Sequence, residues 1–312
     1  MRIGLVIDAA CDLPASIIRD YRIEVMPVAV QIGDLKIIDN NDPEATAAFY
    51  RNFPVKSGSG DSLPTSVDEI RAAFLDHLVL EYDFVFFLTT ASSRSKIYDN
   101  ALHASLGIIS EYKTRRMAAG LSGSFVMRVI DSQVLFGAQA ISAIEAARMI
   151  RADATPAQIE TRLNELIPHV YGYIVPNDLV HVFQAAKRRG EPPTGPLRFL
   201  FARLLDVKPV LRIVRNTLGA VAGLRKFEHA NTRLFRFGVE RIKAGLLTPV
   251  FGVGYAGDFS RIEKIPGFAE LREAAAAASV ELVTFQMGIV AGTYLGKDVI
   301  GITFAAPDHK FR

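Results

Sequence analysis

The chain has 312 residues, half of them apolar, enough to bury the cores of one large or two ordinary domains. A net charge of +3 with both signs interspersed gives no reason to expect a nucleic-acid partner. The single Cys11 excludes an intramolecular disulfide and a thiolate metal cluster, and six histidines without i, i+4 pairing offer no metal site. No apolar run reaches membrane-spanning length and the N-terminus leads straight into a strand. The expectation is a cytoplasmic, soluble protein with no integral membrane segment, metal or cofactor.

In chain order, Arg2–Ile7 is a short apolar run that predicts a buried strand. It ends in Asp8, and Asp12 with Pro14 predicts an N-cap and first turn for a helix reaching Tyr21. Ile23–Val30 predicts one strand, and Ile32–Leu35 a hairpin turn with a return to Ile38. Asp42 and Pro43 open a helix. Lys56–Ser62 has the composition of an exposed loop. Ser66 and Glu69 form a capping box for a helix ending near Glu81. Phe84–Leu88 is continuously apolar and predicts a strand buried on both faces, followed by hydroxyls at 89, 90, 92, 93 and 95 and a helix from Lys96 to about Ile109. A strand at Phe125–Ile130 and helices at Leu135–Arg151 and Thr155–Leu166 complete an alternation that predicts an α/β domain with a mostly parallel sheet flanked by helices.

The boundary is placed at Ile167-Pro168, giving domains 1–168 and 169–312. The second half predicts strands at Val170–Val175, Val207–Ile213, Ala220–Leu224, Pro249–Tyr255, Val280–Phe285 and Val299–Phe304. Helices are expected at Asn177–Arg189, His229–Ala244 and Gly267–Ala278. Asn216–Gly219 is expected as a turn, residues 190–196 as a breaker, and the stretch between the last two strands as a glycine-bearing loop.

The hydroxyls after Phe84–Leu88 sit where a strand meets a helix N-terminus, a place suited to an anionic head group, and Thr65-Ser66 supplies a second hydroxyl loop. The plainer alternative is that Ser92 or Ser93 caps the helix, and that Asp8 and Asp131 cap their own turns. Ser92 or Ser93 as the nucleophile of an α/β enzyme on a small polar substrate is a further alternative, without an evident base in the sequence. Gly252, Gly254 and Gly257 match a dinucleotide fingerprint. They lack a helix opening inside the glycines and an acid ending the next strand, so a chance match is the better reading.

Several of these stretches, in order, resemble the DegV family of bacterial fatty-acid-binding proteins. Asp8–Pro14 is similar to its D-S-x-x-D-L-P, Pro27 and Val28 with Asp39 to its P-L…D, and Pro64–Ser66 to its P-T-S. Thr90–Ala101 lies over its S-S-x-L-S-G-T-Y-x-x-A, and Val129–Ser132 is its V-I-D-S. Later segments match at Asp178, Lys208–Leu211 and Gly288–Phe304.

The resemblance implies two α/β domains with a ligand tunnel between them, binding one long-chain fatty acid such as palmitate without catalysis. It also implies, for some members, a carrier role that presents the carboxylate to a partner fatty acid kinase. Carried over, Thr65 and Ser92 fall at the carboxylate, Ser93 beside them, and Tyr294 where the family has a head-group histidine. Ser95, Thr293 and Arg225 are supporting candidates. Lys187 and Glu228 depart from the family pattern on surfaces used for head-group contact and partner docking. Burial of an acyl chain at about 0.8 kcal/mol per methylene would dominate such binding, with a few polar anchors fixing the head.

Overall fold

The computed structural model describes residues 1–52, 60–190 and 205–311. The expected loop at 56–62 and breaker at 190–196 lie largely outside them. Three sheets organise the chain. The first is parallel, in the order β2 (Glu24–Met26), β1 (Ile3–Asp8), β6 (Phe84–Thr89), β7 (Val126–Asp131), with Ile3 opposite Phe84 and Thr89 opposite Asp131. All six residues of β6 are buried, as a central parallel strand requires, and each buried Phe or Leu there contributes roughly 1.5–3 kcal/mol. A small antiparallel sheet, β4 (Leu35–Asp39), β3 (Val28–Ile32) and β5 (Gly60–Leu63), stands beside it.

The third sheet holds the later strands: β8 (Val170–Val175), β9 (Val207–Val214), β10 (Thr217–Arg225), β11 (Val250–Ala256), β12 (Glu281–Gln286) and β13 (Val299–Ala305). Their spatial order is β10-β9-β8-β13-β11-β12. Every pairing is antiparallel except that of β11 with β12. Between the sheets runs the helix Gly137–Arg151, which packs on β1 on one side and on β8, β11 and β13 on the other. Its alanines let both sheets approach. Ten of its residues are buried, so it has no solvent stripe along most of its length.

Local signals set most elements, and the departures have local causes. The strand expected at Ile23–Val30 breaks at Pro27, which has no N–H for a ladder. Its two pieces, β2 and β3, join different sheets. The helix after the hydroxyls runs Ile97–Ala118, well past Ile109. Its last turns are fixed by the buried Arg116, which donates to the carbonyls of Val79 and Tyr82 at 2.8 Å and to Asp83. The β9–β10 turn is Arg215-Asn216, not Asn216–Gly219. Both residues have positive φ (48° and 61°), the geometry of a two-residue hairpin turn. The expected glycine loop before β13 contains a helix, Ile289–Leu295. Among the described residues no helix is long and apolar enough to cross a membrane.

Candidate functional site

In the parallel sheet the chain leaves β1 toward β2 on one side, and β6 lies on the other. The carboxyl ends of β1 and β6 therefore flank a crevice at a point where the strand order reverses. A cavity of about 40 Å³ lies there. Asp8 and Ala10 line it from the end of β1, and Thr90, Arg94, Ser95 and Ile97 from the end of β6. Val28 and Ser62 come from the small sheet, Leu135 and Phe136 from the start of the central helix, and Val290 and Tyr294 from the Ile289–Leu295 helix. Arg189 closes it. Both halves of the chain thus contribute to one cavity, whose lining is partly polar and partly apolar.

The polar part of the lining is ordered by Asp8, which accepts from the Thr90 and Ala10 amides and from Thr90 Oγ1 at 2.9 Å. Burial pushes its pKa up, and these hydrogen bonds pull it partly back. Ser95 Oγ accepts from the Ile97 amide at 3.2 Å, in the turn that leads into the long helix; the N-cap residue is Lys96, which makes no side-chain cap, and neither Ser92 nor Ser93 is the N-cap. The Tyr294 hydroxyl donates to Asp61, accepts from the Ser62 amide at 2.9 Å and lies 2.9 Å from Ser62 Oγ. Its pKa is raised, by burial first and by Asp61 second. The Arg189 guanidinium stands 5.1 Å from the Tyr294 ring centre and donates to the Arg94 carbonyl at 2.7 Å.

The other candidates from the sequence are placed differently. Ser92 is held by Asp131, its hydroxyl donating to Oδ2 at 2.6 Å and its amide to Oδ1 at 3.1 Å. Ser93 Oγ donates to Asn216, on the β9–β10 turn, and Asn216 Nδ2 donates to Asp131. This pair of serines ties the hydroxyl loop to the second half of the chain. Thr65 Oγ1 donates to the Pro27 carbonyl at 2.5 Å, and Thr65 lines a separate surface cleft with Pro27 and Pro64. Thr293 Oγ1 donates within its helix to the Ile289 carbonyl, and Arg225 lies at the far end of β10, donating to Leu205. Of the seven site residues expected, Ser95 and Tyr294 line the cavity.

Arg94, Arg189 and Ser62 are cavity residues that sequence reasoning missed. At the end of the Leu179–Arg188 helix, Arg188 donates to the Gly60 carbonyl and Arg189 to that of Arg94, both in the first half of the chain.

Asp12 does not cap the helix that follows it, Ala15–Tyr21, which has no side-chain cap. It accepts instead from the Gly288 amide at 2.9 Å, and Asp39 accepts from the Val290 amide at 3.0 Å. Two buried carboxylates from the first half of the chain thus cap the Ile289–Leu295 helix of the second and hold Val290 and Tyr294 at the cavity. Burial pushes Asp39 up to about 6. It raises Asp12 as well, with Asp39 adding to the rise, and Asp12 Oδ2 has no hydrogen-bond partner.

Gly252 and Gly254 of the fingerprint-like motif lie inside β11, paired on both sides by β12 and β13, so their amides face neighbouring strands and not a ligand. Among the described residues no cluster of His, Cys, Asp and Glu could hold a metal ion.

A family model described as "Uncharacterised protein, DegV family" matches residues 2–307. The chain belongs to the DegV family. A DegV domain-containing protein of Xanthomonas axonopodis pv. citri is 41% identical over 312 residues, covering 100% of this chain and 99% of that protein. Among solved structures, a stearic-acid-binding protein from Eubacterium ventriosum superposes with TM-score 0.78 at 19% identity, over 97% of this chain and 98% of that one. A DegV lipid-binding protein from Thermotoga maritima gives TM-score 0.76 at 20% identity, over 99% and 100%. The DegV fold, α/β with a parallel sheet flanked by helices, is therefore shared along the whole length.

Proposed function

We propose that this DegV protein binds one long-chain fatty acid without chemically altering it, the carboxylate at the polar part of the cavity lining and the acyl chain running between the two halves, residues 1–168 and 169–312. The observation that carries this is the cavity at the β1–β6 crevice, where Arg94, Arg189 and Ser95 meet the apolar Val28, Ile97, Leu135, Phe136 and Val290. Two arginines favour an anion there. Ser95 Oγ only accepts in its bond from the Ile97 amide, so its own proton can go to a carboxylate oxygen. In this reading Ser92, Ser93 and Thr65 position the cavity walls through Asp131, Asn216 and Pro27, and do not touch the ligand. The structural relatives from E. ventriosum and T. maritima, by name a stearic-acid binder and a lipid-binding protein, support the ligand class.

The test is mass spectrometry of lipid extracted from natively purified protein, with titration of added acid. No acyl chain in the extract together with no binding of added palmitate would sink the proposal.

Presentation of the bound carboxylate to a separate kinase is the further step that the family resemblance implies. Glu228 opens the Phe227–Ala244 helix where the family carries a basic residue, which favours the helix dipole and removes a positive charge from that surface. We therefore expect any kinase partner to dock by a different charge pattern. Acyl phosphate formation with a kinase whose own DegV partner keeps the basic residue, compared between the native protein and Glu228→Lys, measures this. A large gain in the variant is the expected result, and equal rates would count against a role for that surface.

A further inference from the structure

The cavity at the crevice has a neighbour across Leu135 and Phe136. Leu135 and Phe136 also line a second, apolar cavity of about 20 Å³, shared with Gly137, Gly172, Ile213, Phe285, Met287 and Gly301. The two spaces, about 40 and 20 Å³, fall far below the ~300 Å³ at which ligand pockets begin. A long acyl chain therefore enters only by displacing side chains.

Two side chains, Phe285 and Met287, occupy the space beside this second cavity. The Phe285 ring lies over bare backbone. A Cβ on Gly137 or on Gly254 would collide with it, and one on Gly252 would come within 3.2 Å. Met287 Cε would stand 2.9 Å from a Cβ on Gly301 and 3.1 Å from one on Gly254. Four glycines on three elements, the start of the central helix, β11 and β13, thus floor one slot that Phe285 and Met287 fill. If those two swing out, they leave a flat-walled apolar channel, and an unbranched chain fits against backbone more closely than against side chains. Phe136, at the junction of the two cavities, has φ 54° and ψ −139°, backbone that a side-chain-bearing residue rarely adopts. Such strain is stored where the chain must yield.

We propose that the glycine-floored slot under Phe285 and Met287 is the tail compartment, and that these two side chains set the acyl chain length accepted. This rests on the fatty-acid reading above.

The experiment is a displacement titration with saturated acids of about 10 to 20 carbons. In the wild type, affinity should rise roughly fourfold per added methylene and then level off where Phe285 and Met287 yield no further. In Phe285→Ala the levelling-off point should move to chains longer by roughly two to four carbons, and in Met287→Ala by fewer, since its side chain is smaller and more adaptable. Thermal melting confirms that each variant is folded, and Met287→Ala carries the test if Phe285→Ala is not. A levelling-off point unmoved in a folded variant overturns the proposal while wild-type binding leaves the fatty-acid reading standing. Failure of the wild type to bind an acid of any length overturns both.

Discussion

At the scale of single residues, the side chains around the cavity separate into those that can meet a carboxylate and those that hold the wall. Ser95 belongs to the first group, because its proton is uncommitted in the bond it accepts from Ile97. A hydrogen bond to a charged group contributes roughly 1.5–3 kcal/mol, so Ser95→Ala should weaken palmitate binding about 10- to 150-fold and the corresponding fatty alcohol much less. Tyr294→Phe should act in the same direction more weakly, because its hydroxyl is already engaged with Asp61 and Ser62. Thr65→Ala and Ser92→Ala remove bonds to Pro27 and Asp131, so they should change acid and alcohol affinity alike. Displacement titration of both ligands against the four variants measures this, and an acid-selective loss in Thr65→Ala or Ser92→Ala would restore those hydroxyls as direct contacts.

At the scale of elements, the Ile289–Leu295 helix depends on carboxylates 276 and 251 residues away. Asp39 is buried and its pKa is raised to about 6 against an unfolded value near 3.9, so between those values the native state holds a proton that the unfolded state has lost. Stability from this group is present below about pH 4 and is lost as pH rises toward about 6, by an amount on the order of 1–3 kcal/mol. Asp8 and Asp12 are raised in the same direction. In urea unfolding followed from pH 4 to pH 7, the wild type should lose stability across that window from these groups, and Asp39→Asn should show a shallower loss. An identical pH slope in the variant would mean that Asp39 does not titrate there. Asp12→Ala leaves the Gly288 amide without an acceptor and should lower stability at pH 7 by roughly 1–3 kcal/mol, less whatever relief comes from removing a buried acid.

At the scale of the whole molecule, the first half reaches the second through the central helix, the Asp12 and Asp39 caps, the Asn216 contacts and the arginines at 188 and 189. A ligand that bridges the halves stabilises the folded state by mass action, about 2.7 kcal/mol at a hundredfold excess over Kd. For a chain of this size that corresponds to a rise in Tm of roughly 5 °C with palmitate. Scanning calorimetry of delipidated protein with and without acid checks it, and an unchanged Tm at saturating acid would contradict binding to the native state.

Elements whose signals are local could be read from the amino-acid order alone. β1, β6, β7 and β8 were legible as short apolar runs, and the helices starting at Val67 and Pro156 from the hydroxyl and proline signals at their N-termini, because strand burial and helix capping act within a few residues. The ordered family motifs likewise pointed to the DegV fold. The tertiary structure decided what distant residues do together. It turned Asp12 from a local cap into a cap across the molecule, and made a helix of a stretch that reads as a glycine loop. It engaged the hydroxyls of Thr65 and Ser92 elsewhere and brought Arg94 and Arg189 to the cavity from opposite halves of the chain. A side chain's hydrogen-bond partner depends on which polar groups the fold leaves beside it, and those groups lie 38 residues away for Thr65 and 276 for Asp12.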